Sequence, residues 1–389
     1  MRIAVDIRGL ARPNQSGVGE YTLELLRALF EINSEHDFLL LSTGTETARR
    51  YVLDNLNRID IEQYRSHVRH LHHPTTNKQL NLGIFTRSKP SLDNLLDTDC
   101  DIFWFPNLNF IATQKTPSVI TIHDLSFKIF PQFFDRKTQI WHQTIKPEQT
   151  LKLAQTVIAP SESTRNDAIE LFDLDPEKIK VIRHGINHSL FQPKMLPQDH
   201  GIKSQYHLPE NYILFMGTIE PRKNLHALLD AISENSKIKT QNSQLVISGN
   251  PGWRSQDILD RFKQMPNVHY LGYVPAEHRP ALYRNADAFV FPSIYEGFGL
   301  PVLEAMACGT PVITSHTSSL PEITGDAALL INPYNANDIA AALDELARSD
   351  NLRQNLIQAG LEQASHFTWH KAAEKTLKAL TLRHAQGQP

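Results

Sequence analysis

The sequence predicts an α/β protein made of two doubly wound, Rossmann-like domains. Three observations carry that prediction. Short apolar runs rich in Val, Ile, Leu and Phe recur along the chain, each too short for a core helix and each followed by a polar turn and a stretch of helical periodicity. This alternation starts twice, at Arg2 and again at Tyr212, and the polar, proline-containing interval from Phe191 to Lys203 between the two starts reads as the linker. The length, 389 residues, exceeds what one hydrophobic core comfortably serves.

Arg2 to Arg8 reads as a buried strand, and Pro13 to Gly19 as a turn-rich loop. Tyr21, Leu25, Leu26, Leu29 and Ile32 then recur at helical spacing before the strand Phe38 to Leu41. Gly17 and Gly19 let backbone come close to a ligand, but no third glycine stands in register for a dinucleotide fingerprint. Val68 to His73 reads as a strand with three histidines and no convincing remaining metal ligands. Asp97-Thr-Asp99 reads as a solvated turn before the strand Ile102 to Phe105. Ser118 to Ile122 is a strand ending on His123-Asp124, where parallel sheets present ligand-binding groups.

Further strands follow at Gln155 to Pro160 and Lys180 to His184, the first running into Ser161-Glu-Ser-Thr164, a helix-capping sequence. In the second half, the strand Tyr212 to Met216 leads into Gly217-Thr-Ile-Glu-Pro-Arg-Lys-Asn224 and a helix from about Leu225 to Ile232. Strands at Gln244 to Ser248, Val268 to Gly272 and Ala288 to Pro292 continue the pattern. Arg222 and Lys223 sit just past a strand end, where a cation can neutralise a diphosphate leaving group.

The most informative stretch is Phe291 to Thr314. A strand end turns through Gly297 and Gly299 into a helix from Leu300 to Ala307, with Pro301 in its first turn and Gly309 after its end. Such a turn presents backbone N–H groups at the positive end of a helix, which suits a diphosphate. Glu296 and Glu304 flank that site. Carboxylates repel phosphates, so both fit sugar hydroxyls instead.

Composition bounds the function. Charged residues make up 21% and hydrophobic residues 41%, and the formal net charge of -3 gives no basic field for nucleic acid. Cys100 and Cys308 fall in no metal or redox spacing, which fits a reducing, cytoplasmic compartment. The first residues read as a strand rather than a signal peptide, and no apolar run reaches the length of a membrane span.

The pair Glu296 and Glu304, with Gly297-Phe-Gly-Leu-Pro301 between them, resembles the Glu-x7-Glu signature of retaining GT-B glycosyltransferases of the group one, or family four, type. Ile120 to Phe127, with its His-Asp, resembles the end of a strand in the family's N-terminal domain. Pro221-Arg-Lys-Asn224, Gly185-Ile-Asn187 and Phe367-Thr-Trp369 extend the likeness over nearly the whole chain. The family often has an arginine directly after the glycine at 217; here Thr218 stands there, which leaves Arg222 as a substitute.

The resemblance implies a GT-B fold with a central cleft: an acceptor domain over 1–195, a nucleotide-sugar domain over 204–366, and a terminal helix over 367–389 returning to the first domain. It implies donor binding by Gly17, Gly19, Arg222, Lys223, Glu296, Gly297, Phe298, Gly299, Leu300 and Glu304, with His123 and Glu296 as catalytic residues. Trp369 is expected as an anchor rather than a sugar platform. No metal and no cofactor beyond the nucleotide sugar is implied.

The likeness to bacterial mannosyltransferases of surface-polysaccharide assembly implies GDP-mannose as donor and a saccharide or lipid-linked saccharide as acceptor. The alternatives are UDP-glucose or UDP-N-acetylglucosamine as donor, or a sugar-nucleotide epimerase of the same fold. A lipid-linked acceptor would station the enzyme at the inner membrane face, although no strongly basic amphipathic helix is legible. Replacing Glu296 with Ala is expected to lower turnover and leave the melting temperature near that of the wild type.

Overall fold

The computed structural model describes residues 1–13, 15–33, 35–76, 79–80, 92–96, 98–109, 113, 116–234 and 244–382. Asp97, the first residue of the Asp-Thr-Asp turn, lies outside them. The chain divides into two compact units.

The first unit takes in Met1–Leu125, Lys137–Gly185 and the chain from Trp369 on. Among the described residues its sheet has seven strands: β1 (Arg2–Asp6), β2 (Asp37–Thr43), β3 (Val68–His73), β4 (Ile102–Phe105), β5 (Ser118–Thr121), β6 (Thr156–Ala159) and β7 (Ile179–Val181). They run parallel in the order β3-β2-β1-β4-β5-β6-β7. Helices cover such a sheet on both faces, which is why its central strands are apolar throughout rather than alternating: Ile102–Phe105 is buried at every position. The helix Gly17–Ile32 buries Tyr21, Leu25, Leu26 and Leu29, and the terminal helix Trp369–Thr381 packs against it, placing Ala372, Ala373, Ala379 and Leu380 in the same core.

In β3 two of the three histidines meet at one hydroxyl and the third turns elsewhere. His70 Nε2 and His72 Nδ1 share the Ser42 hydroxyl at 2.7 and 2.9 Å, while His73 Nδ1 lies 2.8 Å from Thr75 Oγ1.

The second unit comprises Ser126–Arg136 and Ile186–Thr368. Its strands are β8 (Tyr212–Met216), β9 (Gln244–Ser248), β10 (Val268–Gly272), β11 (Ala288–Phe291), β12 (Val312–Ser315) and β13 (Leu329–Ile331), parallel in the order β10-β9-β8-β11-β12-β13. The strand order reverses between β8 and β11, where Ala288 pairs with Ile213 and Phe289 with Leu214. Ligands of open parallel sheets bind beyond the carboxyl ends of the strands at such a switch point.

The boundaries differ from the sequence expectation: the second unit begins at Ile186 rather than beyond residue 195. The polar interval at 191–203 is not a free linker. Pro197–Gln205 is a helix whose Asp199, 1% exposed, takes both Nε and Nη2 of Arg284 at 2.7 Å, and Ile202 joins the second core. A buried, fork-to-fork ion pair holds the segment to its unit; composition alone shows only its polarity. Ser126–Arg136, expected within the first domain, clusters with the second unit instead. Phe130 lies 5.9 Å from the Tyr295 ring, Phe134 stacks on Trp253 at 5.2 Å, and Arg254 donates to the Gln132 carbonyl.

Candidate active site

The loops after β8 and β11 meet at the switch point of the second sheet. After β8, Pro221–Lys223 forms a single tight helical turn that closes on Asn224 in the left-handed conformation, φ 57°. Asn224 Nδ2 donates to the carbonyls of Pro292 at 3.2 Å and Pro333 at 2.6 Å, tying three loops together. The Ile294 N–H donates to the Arg222 carbonyl at 2.9 Å, which docks one loop on the other through backbone.

Those links bring four charged side chains together. Lys223 Nζ lies 2.6 Å from Glu296 Oε1, and Arg222 Nη1 lies 3.0 Å from Glu296 Oε2. Arg222 Nε and Nη2 donate to Glu220 Oε1 at 3.0 and 2.7 Å, and Nη1 also reaches the Tyr295 carbonyl at 3.0 Å. Glu220, Lys223 and Glu296 are each at most 7% exposed. Burial pushes the Glu296 carboxyl up, but the Arg222 and Lys223 charges outweigh it and hold the group below its ordinary value. Lys223 Nζ also sits 4.8 Å over the Phe291 ring, a cation–π contact that helps hold a buried ammonium.

The turn beneath Glu296 is held by a run that sequence reasoning passed over, Thr317-Ser-Ser319. The Thr317 hydroxyl donates to the Ile294 carbonyl at 2.9 Å, and the Glu296 N–H donates to Ser318 Oγ at 2.9 Å. Ser319, fully buried, lies 2.9 Å from the carbonyls of both Glu296 and Phe298. Its only sequence signal is a cluster of hydroxyls just past a strand.

Gly299 then caps the helix Leu300–Ala307 at φ 111°, a left-handed value that favours glycine, and a Cβ there would meet Leu320 Cδ2 at 2.9 Å. The helix start, with its partial positive charge, thus follows Glu296 by one short turn through buried Gly297, and its first residue, Leu300, is half-buried. Phe298, expected among the donor-binding residues, gives its side chain to the core. It is 4% exposed and packs edge-on to Phe367. One turn into the helix, half-buried Glu304 accepts the Tyr283 hydroxyl at 2.8 Å. Burial and the Glu304 charge raise the Tyr283 phenol well above its usual range, so it stays a donor. Sequence reasoning missed Tyr283 and Glu220, neither of which carries a spacing signal.

The remaining expected residues belong to the first unit. Gly17 begins the helix Gly17–Ile32, with open space where a Cβ would stand. At Gly19 a Cβ would fall 2.1 Å from Gln15 Oε1, the end of a flexible side chain, so the close contact there is a local one within the loop. His123 follows β5 and lies 2.8 Å from the Pro106 carbonyl through Nε2. A carbonyl only accepts, so Nε2 carries the hydrogen; burial lowers the His123 pKa, and in the resulting neutral ring Nδ1 is an acceptor. The Tyr21 ring stands edge-on to His123 at 4.7 Å and lies 4.5 Å from that of His184. Trp369, 9% exposed, stacks on His184 at 6.0 Å and anchors the start of the terminal helix in this cluster.

Comparison with known proteins bears on this arrangement. The family model described as glycosyl transferases group 1 matches residues 200–363, and that described as Glycosyltransferase Family 4 matches residues 15–190. The O-antigen chain mannosyltransferase B of Escherichia coli is 33% identical over 285 residues, which cover 72% of this chain and 74% of that protein. The serotype-specific mannosyltransferase WbdA of Escherichia coli is 24% identical over 98% of this chain but only 48% of its own length, so the chain spans about half of that relative. Among solved structures, sucrose-phosphate synthase from Thermosynechococcus elongatus superposes with a TM-score of 0.74 at 21% identity, covering 99% of this chain and 100% of that one.

Proposed function

Because the chain belongs to the group 1 glycosyltransferases, with the GT-B fold, we propose that it transfers mannose from GDP-mannose, with retention of configuration, to a saccharide or lipid-linked saccharide acceptor in O-antigen-like polysaccharide assembly. The observation that carries the chemistry is the buried contact of Glu296 with Lys223 and Arg222 beside a helix N-terminus. The sugar is carried by the mannosyltransferase relatives.

In this reading the bond between the anomeric carbon and the diphosphate oxygen breaks while the acceptor oxygen bonds to the same face. The acceptor proton passes to the departing diphosphate oxygen. Lys223 and the N-terminus of Leu300–Ala307 stabilise the charge that gathers on the diphosphate, the role a divalent cation would otherwise fill. Glu304, steadied by Tyr283, holds ribose hydroxyls. Glu296 orients the sugar at the reacting face. His123, with Nδ1 as acceptor, takes a hydroxyl of the sugar or the acceptor.

A thermal-shift panel of GDP, UDP, ADP and dTDP with their sugars, run in a chelator, tests the donor. A ligand bound only by the folded protein at about 100 times its Kd adds about 2.7 kcal/mol. Selective stabilisation by GDP and GDP-mannose is expected. Selective stabilisation by a uridine nucleotide would discard the donor, and a response that needs divalent metal would discard the role given to Lys223.

The proposal includes a cytoplasmic station at the membrane surface. Among the described residues no helix is long and apolar enough to cross a membrane. The helix Arg136–Thr144 supports peripheral contact: Ile140 is 52% and Trp141 36% exposed, one turn from exposed Arg136 and Lys137. An aromatic ring beside cations suits a headgroup boundary. The protein is expected to float with vesicles containing anionic phosphatidylglycerol and to lose that binding when Ile140→Ser and Trp141→Ser are combined. Equal flotation of the variant would remove this helix from the reading.

A further inference from the structure

We propose that Glu220 is a positioning residue that aims Arg222 at Glu296 and keeps the diphosphate site electrically neutral, so that the leaving nucleotide is released. The inference rests on the donor-site reading above but not on the identity of base or sugar.

Glu220 and Glu296 supply two negative charges, Arg222 and Lys223 two positive ones, all linked at 2.6 to 3.0 Å. The Glu220 side chain is 2% exposed, so little water screens it. It grips the guanidinium along one edge, through Nε and Nη2, which leaves Nη1 directed at Glu296 Oε2 and the Tyr295 carbonyl. A planar fork held along one edge has little freedom to turn. Arg222 is thereby committed to carboxylates on both sides. Its charge is balanced before any phosphate arrives, and Lys223, on the other oxygen of Glu296, is the cation with the simpler commitment.

Removing the Glu220 charge makes opposite demands on binding and turnover. The four-residue set acquires one net positive charge in a poorly screened place, so a nucleoside diphosphate binds more tightly. Arg222 loses its restraint, so Glu296 is held less well and the slower step suffers. A residue with a merely structural role would weaken both.

The test is Glu220→Gln, with nucleotide affinity measured by titration calorimetry using GDP, UDP and inorganic pyrophosphate, and turnover measured with the donor the wild type accepts. Affinity for the best-bound diphosphate is expected to rise by about tenfold and kcat to fall by about tenfold. Glu220→Asp, which keeps the charge, is expected to restore the wild-type affinity. The double variant Glu220→Gln/Arg222→Gln returns the set to neutrality and is expected to bring affinity back near wild type, which keeps the test open if the single variant folds poorly. Weakened or unchanged affinity in Glu220→Gln overturns the proposal, as does a double variant that binds as tightly as the single one. Preference for UDP over GDP would overturn the donor assignment alone. No diphosphate binding by wild type or variant would overturn both.

Discussion

Replacing Glu296 with Gln is expected to lower kcat by about a hundredfold or more, since in the proposed mechanism it removes the charge that meets the reacting sugar in a preorganised site. The geometry also changes what the simpler Glu296→Ala variant can report. Glu296 stands buried between Lys223 and Arg222, so deleting its carboxylate takes the paired charge from Lys223 and leaves Arg222 to Glu220 alone. Breaking a buried pair costs about 3–5 kcal/mol, and the sequence expectation of an unmoved melting temperature is corrected on that ground. The Gln variant loses the same charge but keeps the shape and an acceptor oxygen for Lys223, so a smaller loss of stability is expected than in Ala, and comparing the two separates turnover from folding. Circular dichroism melts beside single-turnover assays read both quantities. Wild-type turnover in the Gln variant would remove Glu296 from the chemistry. The pH dependence has a definite sign. Arg222 and Lys223 hold the folded Glu296 carboxyl below its unfolded value, so its stabilisation is present above pH ~4.3 and is lost as pH falls toward the folded value. Glu296 therefore adds no acid limb to activity near neutral pH.

The fold was legible because its signals are local. Ala288–Phe291 and Leu300–Ala307 appear where the apolar run and the Pro301/Gly309 punctuation place them. Glu296 and Lys223 were legible as residue types at loop positions past strand ends. Their direct contact was not, because 73 residues separate them and the contact depends on β8 and β11 being neighbours. The supporting residues were hidden for a different reason. Tyr283 and Ser319 act through hydrogen bonds to residues more than twenty positions away, and Glu220 through a local pair with Arg222 whose purpose shows only once Arg222 meets Glu296; none leaves a period or a spacing. The polar interval at 191–203 misled in the same way: Asp199 reads as a solvated charge until Arg284, far along the chain, is found opposite it.

A second large effect is expected at a residue that touches no substrate. In Gly249→Ala, the new Cβ would fall 1.8 Å from the Gly217 carbonyl oxygen and 2.6 Å from its carbon. Both are backbone atoms that cannot rotate aside, and Gly249 itself holds φ 153°, which disfavours a side chain. Overpacking and backbone strain together are expected to cost about 3 kcal/mol or more. The strain has few outlets. Gly217 N–H donates to the Ser248 carbonyl at 2.9 Å, and Gly249 N–H to that of Gly272 at 2.8 Å, so the ends of β8, β9 and β10 are tied together. Relief must come from moving Gly217, and with it the turn that carries Glu220, Arg222 and Lys223. Nucleotide affinity should therefore fall more than stability loss alone explains. The control is Leu346→Ala, a core truncation in the helix Ala336–Arg348 expected to cost about 2–5 kcal/mol. Urea denaturation and nucleotide titration on both variants make the comparison. If Gly249→Ala loses stability but binds nucleotide as the control does, the β8 turn is not set by this approach of backbone to backbone. If it loses both, the positions of Lys223 and Glu296 rest on a glycine one strand away.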